Sequence, residues 1–237
     1  MFNKEKVHLG IAPIGWCNDD MPELGAENTF RQTVSEMALA GFTGTEIGNK
    51  YPKDVKELKW ELDLRGMCIA SRWFSSFLLT KPFEEVAADF EQNLEFLAAL
   101  GARRINVSEQ SHSIQGQMET PVLGGAKYVM NDAEWAQFCQ GLDKLGEIAG
   151  KRGFKLCFHH HMGTVVQTAE ETSRMLGNTS KGKVFLCYDT GHFTFAGEDP
   201  LAMLRKYADR VGHVHLKDMR RDVVDRVKPE GMSFLKA

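Results

Sequence analysis

The chain has 237 residues, 43% apolar and 26% charged, enough to bury a full core within one domain spanning 1–237. Its net charge of −3 and pI near 6.3 provide no basic footprint for nucleic acid or an anionic bilayer. No apolar run reaches the roughly 18 residues of a membrane span, and residues 1–6 lack the apolar core of a secretory leader. A cytoplasmic protein without nucleic-acid or membrane partners is therefore expected.

Short β-type runs alternate with amphipathic stretches from one end of the chain to the other. Strands are expected at 7–14, 44–47, 67–73, 104–107, 155–159, 184–188 and 212–216. Helical periodicity fills the gaps near 28–40, 53–64, 82–100, 132–151, 169–176 and 200–208, with a further helix near 220–228. Asn28 or Glu27 would cap the first helix, and Asp132 marks the start of the fourth. Gly41, Gly66, Gly101 and Gly153 each close a helical stretch just before a strand, as left-handed C-cap residues do. Such alternation predicts parallel strands with crossover helices. Residues 108–131, with Gly116, Gly124 and Gly125, form a long loop of the kind that carries function.

Six of the eight histidines lie between 159 and 215, in three clusters at the ends of apolar runs. His159 and Asp189 are 30 residues apart, Asp189 and His215 26, about one strand–helix–strand unit each time. By strand alternation Cys157, His159 and His161 share one face, Phe185, Cys187 and Asp189 another, and His213 and His215 a third. With those faces turned inward, His159 or His161, Asp189 and His215 converge at the C-terminal rim and can hold a divalent metal. His160 then faces outward as a structural residue, and His213 lies one layer deeper as a partner of the ligands. Polar and aromatic residues at the other strand ends, Trp16, Asn18 and Trp73 among them, suit a small polyhydroxylated substrate. Lys50 and Glu109 are candidates for proton transfer or for polarising a carbonyl. The five cysteines are scattered with no CxxC pair and read as buried small hydrophobes, except that Cys17 follows Trp16 at a strand end.

The segments Gly15-Trp16-Cys17-Asn18-Asp19-Asp20, Glu46-Ile47-Gly48-Asn49-Lys50-Tyr51-Pro52, His159-His160-His161-Met162-Gly163-Thr164, Asp189-Thr190-Gly191-His192 and His213-Val214-His215-Leu216-Lys217-Asp218 resemble the inosose dehydratases. These enzymes form a branch of the xylose-isomerase-like TIM-barrel superfamily. The resemblance covers residues 7 to about 235 and implies an α/β (β/α)8 barrel. It implies that the chain stops before the eighth strand and its helix, where relatives carry a last Glu ligand. An unclosed barrel would leave open strand edges, which favours a homo-oligomer.

The implied activity is dehydration of 2-keto-myo-inositol (scyllo-inosose), a cyclic ketone of inositol catabolism, to 3D-trihydroxycyclohexane-1,2-dione. The implied cofactor is Mn²⁺ or Co²⁺, with glutathione as an accessory thiol. Carried over, Asp189 and His215 are metal ligands and His159 stands where relatives place a Glu. His192 resembles the relatives' substrate-contacting histidine, a catalytic candidate, and Arg221 their substrate-binding arginine. Two alternatives are kept: a ketose 3-epimerase or sugar isomerase using the same metal site, and a non-catalytic truncated fragment.

Overall fold

The computed structural model describes residues 7–237; residues 1–6, read above for the absence of a leader, lie outside them. The chain divides into two compact units, one of residues up to Trp73 with Gln92–Arg104, the other of Phe74–Glu91 with Ile105–Ala237.

In the first unit β1 (Gly10–Ile11), β2 (Gly44–Ile47) and most of β3 (Cys68–Ser76) run parallel, in sequence order. β1 is far shorter than its apolar run because Pro13 opens a 3-10 turn over Pro13–Gly15, and proline lacks the N–H a ladder needs. α1 (Phe30–Leu39) is capped by Thr29, whose side chain accepts from Gln32 N; the expected cap, Asn28, instead donates to the Trp16 carbonyl at 2.7 Å. Phe30, Val34 and Met37 form the buried stripe of α1. α2 (Val55–Asp63) starts at an Asp54 cap and buries Leu58 and Leu62. Gly66 follows with φ of 65° and returns the chain to β3.

In the second unit β4 (Arg104–Glu109), β5 (Lys155–His159), β6 (Val184–Asp189) and β7 (Val211–His215) are again successive neighbours, with β5, β6 and β7 parallel. α3 (Phe83–Ala99) contributes to both units. α4 (Asp132–Lys151) begins with a reciprocal capping box between Asn131 and Glu134 and packs Phe138 edge-on against Phe158 of β5, centroids 5.5 Å apart. Burying each such ring contributes about 2–3 kcal/mol. α5 (Ala169–Gly177) is boxed by Thr168 and Glu171. α6 (Thr190–Phe195), α7 (Pro200–Tyr207) and α8 (Arg221–Val227) complete the unit. The long loop lies against α8 and the last residues, where Ile114, Val122, Met162, Phe195 and Val227 make a buried cluster covered by Met232 and Phe234. Among the described residues no helix is long and apolar enough to cross a membrane.

One irregularity in the second unit positions the site. Leu186 pairs with Val211 but Cys187 pairs with His213, so Gly212 is an extra residue in β7. A Cβ on Gly212 would lie 2.7 Å from Cys157 Sγ and 2.7 Å from Phe185 Cβ.

Candidate active site

β5, β6 and β7 bring their C-terminal residues to one point of the second unit. Asp189 ends β6 and also N-caps α6, its Oδ1 accepting from His192 N at 2.9 Å. Its Oδ2 faces three nitrogens: Lys217 Nζ at 2.8 Å, His159 Nε2 at 3.3 Å and His215 Nδ1 at 3.4 Å. His159 Nε2 and His215 Nδ1 are 3.0 Å apart. His192 Nε2 lies 3.9 Å from the same Oδ2 and 3.1 Å from Lys217 Nζ.

Lys217 is held from both sides. Thr190 Oγ1 accepts from Lys217 N and donates to Lys217 O, at 2.9 and 2.8 Å. Gly191 leaves space for the lysine stem, because a Cβ there would lie 2.6 Å from Lys217 Cβ.

The donor set fits a divalent cation. Three lone-pair atoms separated by 3.0, 3.3 and 3.4 Å are spaced like adjacent ligands of one ion with bonds of about 2.1 Å. Asn106 on β4 lies 3.4 Å from His215 Nε2. The amide is placed with Nδ2 toward that nitrogen; turned over, its Oδ1 accepts from Nε2–H and His215 Nδ1 keeps the lone pair. The Lys217 ammonium at Asp189 marks the same spot as one that attracts positive charge.

Burial sets the protonation states. Asp189 is fully buried, which raises its carboxyl, but its polar neighbours outweigh that, His159 and His215 first and then His192 and the Lys217 ammonium, and hold it far below the usual carboxylate range. Burial also pushes His159 down to about 4, with the neighbouring His215 and Lys217 opposing its charged form as well. His161 and His192 are driven well below 6.5, first by burial and then by each other's neighbourhood of imidazoles and Lys217. The site is a carboxylate beside the imidazoles of His159, His161 and His192, all three held neutral by burial, the state a metal requires of its histidine ligands.

Of the two fifth-strand candidates, the structure brings His159 to Asp189. His161 Nδ1 instead donates to the Met162 carbonyl at 3.0 Å, its ring lying 3.9 Å from that of His192 and 4.9 Å from Phe234. His160 stacks on Phe193 at 3.8 Å, away from the donors. His213 sits beside Cys187 in the register, one layer below the pair Asp189–His215.

Each of the remaining candidates has its own neighbours. Lys50 donates to the carbonyls of Gly25, Ala26 and Asn28 at 2.7–2.9 Å, so its ammonium fastens that loop and has no spare proton-transfer geometry. Glu109 is fully buried and accepts from Ser76 Oγ, Leu78 N and Ser111 N; burial raises its carboxyl, against the pull of those bonds. Trp16 Nε1 donates to Glu36, and Asn18 Oδ1 accepts from Asp20 N and Met21 N. Trp73 is half-buried in the first unit. Arg221, at the start of α8, is 86% exposed and pairs with Asp225.

Two site residues were not anticipated. Cys187 Sγ lies within 4.8 Å of the ligand atoms of His159 and His215. Its parity with Asp189 was legible, but the scattered cysteines suggested only packing. Lys217 falls in the His213–Asp218 motif, but no strand pattern foretells a side chain that reaches back from the loop after β7.

Residues 34–234 match the family model for the xylose isomerase-like TIM barrel. A Clostridium beijerinckii protein named inosose dehydratase is 59% identical over 235 residues, 99% of this chain and 78% of its own length. The chain belongs to the inosose dehydratase family. A further inosose dehydratase, from Geobacillus thermodenitrificans, is 56% identical over 100% of the chain and 79% of its own. Solved structures extend the likeness in fold alone. The probable 3-DHS dehydratase AsbF of Bacillus anthracis superposes with a TM-score of 0.69 at 15% identity, over 94% of this chain and 78% of its own. A xylose isomerase-like TIM barrel protein from Mycobacterium smegmatis, in complex with magnesium, gives 0.69 at 16% identity, over 94% and 80%.

The β7 bulge makes a direct prediction for this inosose dehydratase family member. Gly212→Ala forces a Cβ into Cys157 and Phe185 and is expected to cost about 1–3 kcal/mol. Because the strand must shift to relieve it, His215 moves off Asp189 and metal affinity falls with stability. Thermal melts with and without Mn²⁺ test this; an alanine variant with unchanged melting and metal binding would contradict it.

Proposed function

We propose that this chain dehydrates 2-keto-myo-inositol (scyllo-inosose) to 3D-trihydroxycyclohexane-1,2-dione, as part of inositol catabolism in the cytoplasm, with Mn²⁺ or Co²⁺ held by His159, Asp189 and His215. The observation that carries the reading is the Asp189 carboxylate meeting the imidazoles of His159 and His215 at ligand spacing, in a chain that is 59% identical to a named inosose dehydratase. When bound, such an ion acts as a Lewis acid toward a ketone oxygen.

The reaction breaks the C–H bond next to the ketone and then the C–O bond of the β-hydroxyl, which leaves as water. His192 is the proposed base. Its Nε2 accepts from Lys217 Nζ, so that nitrogen carries the lone pair, and burial keeps the ring neutral. Lys217 Nζ is the proposed proton donor to the departing hydroxyl, its position fixed by Thr190 and Gly191. Lys50 and Glu109 act at one remove, by anchoring the 25–28 loop and the end of β4. Substrate contact is assigned to Trp16, Asn18 and Trp73 by motif, and to Arg221, which must release Asp225 to reach a ligand. A homo-oligomer, and glutathione as accessory thiol, complete the reading.

The test is a continuous ultraviolet assay with scyllo-inosose, on chelated protein to which Mn²⁺ is returned. Metal-dependent growth of the enol-dione absorbance is expected. Conversion to an isomeric ketose without that absorbance would reassign the site to an epimerase.

A further inference from the structure

Cys187 shares the inward face of β6 with Asp189, one layer deeper. In the register it lies between His159 of β5 and His213 of β7. It is fully buried and forms no disulfide. Its Sγ and the ligand nitrogens of His159 and His215 lie within 4.8 Å of one another. Two donor sets therefore share the same pair of imidazoles. One adds the Asp189 carboxylate above, and the other adds a thiol below.

An ion with bonds of about 2.3 Å to sulfur and 2.0 Å to nitrogen needs roughly 3.5 Å between those atoms. The thiol has to close by about 1.3 Å at most, which a rotation of up to roughly 45° about its Cα–Cβ bond supplies, at an off-rotamer cost of about 1 kcal/mol. Oxygen donors alone favour hard ions such as Mg²⁺; a thiolate joined to two imidazoles favours Co²⁺ and Zn²⁺.

We propose that Cys187 is a ligand in its own right, so that His159, His215 and the Cys187 thiolate give this site a selectivity for thiophilic divalent ions. This rests on the metal-site reading above and goes beyond it by assigning the sulfur and the class of ion it selects. On binding, the S–H bond breaks, its proton goes to solvent and the sulfur lone pair bonds the ion, with no change of oxidation state.

The experiment is a titration of the chelated full chain with Co²⁺, followed in the visible and near-ultraviolet. Wild-type protein is expected to develop cobalt d–d bands together with a sulfur-to-cobalt charge-transfer band. Cys187→Ser is expected to keep the d–d bands, lose the charge-transfer band and lose about tenfold or more of its preference for Co²⁺ over Mg²⁺. Cys157→Ser, which removes the other buried thiol of that face, is expected to keep the band. Cobalt d–d bands without charge transfer in the wild type would overturn the proposal and leave the metal site standing. Charge transfer surviving in Cys187→Ser would overturn it as well. No cobalt binding by wild type would overturn both the proposal and the metal site. The wild-type spectrum decides even if the serine variant fails to fold.

Discussion

Asp189→Asn is expected to lower kcat/KM by about a thousandfold or more, close to 4 kcal/mol of transition-state stabilisation. Asparagine keeps the shape and can still cap α6, so the backbone of the strand end survives. What disappears is the negative charge that faces Lys217 Nζ, His159 Nε2 and His215 Nδ1. Removing one partner of a buried charge pair costs about 3–5 kcal/mol; the lysine side chain is 44% exposed, so the penalty on stability falls below that range. Metal content should drop in parallel with activity. Elemental analysis and turnover measured on the same preparation check this. A variant with full metal occupancy and undiminished turnover would remove Asp189 from the site.

Acid is expected to unfold the chelated protein steeply, starting near pH 6.5. His159, His160, His161 and His192 are all buried neutral, and burial is the first cause of each depressed pKa. Below 6.5 the unfolded chain binds protons that the folded chain refuses, so stability falls as pH falls. For His160 that window runs from 6.5 down to about 3, and for His159 from 6.5 to about 4. Each buried histidine contributes a slope of about 1.4 kcal/mol per pH unit inside its window. Four together approach about 5 kcal/mol per unit, enough to exhaust a typical domain stability within two or three units. His160→Phe separates this from carboxylate titration. Among the described residues no hydrogen bond of normal geometry reaches either His160 ring nitrogen, the Gln167 backbone is the smallest influence on the ring, and the ring already stacks on Phe193. Phenylalanine is expected to flatten the slope by about 1.4 kcal/mol per unit and move the acid midpoint lower. Urea melts at successive pH values read both effects; an unaltered acid transition in the variant would refute the assignment.

The strongly periodic elements were readable from the residues. α4 and β5 occupy the expected spans, because an uninterrupted amphipathic stripe and a short apolar run each have one good solution. Gly41, Gly66, Gly101 and Gly153 all adopt positive φ, as their places between helix and strand required. α6 escaped notice because Asp189-Thr190-Gly191-His192 looks like a polar strand end with a breaker in it. Asp189 starts the helix by capping it, and Gly191 is tolerated there for the room it leaves Lys217. At the site, alternation placed His159, Asp189 and His215 on the converging faces but left His159 and His161 equivalent. The difference between them is one of environment: His161 lies beyond the last residue of β5, where parity no longer governs direction. Lys50 was attractive as a charged residue near a strand end; three carbonyls from a loop 22 to 25 residues earlier claim it, a contact no local pattern encodes.

The extra residue in β7 has a genetic consequence. Side-chain direction in a strand alternates with every residue, so the chemistry of this strand depends on how many residues precede it as much as on which they are. An in-frame loss of the Gly212 codon would remove the bulge yet leave His213 alongside Cys187 and His215 alongside Asp189, so this one-residue deletion keeps the site in register. The damaging event is the opposite one: a strand that kept Gly212 but paired it regularly with Cys187 would bring Val214, instead of His215, alongside Asp189 and present a valine methyl to the carboxylate. Every histidine, aspartate and cysteine of the site would still be encoded, so the site depends on where the bulge sits as well as on which residues are present.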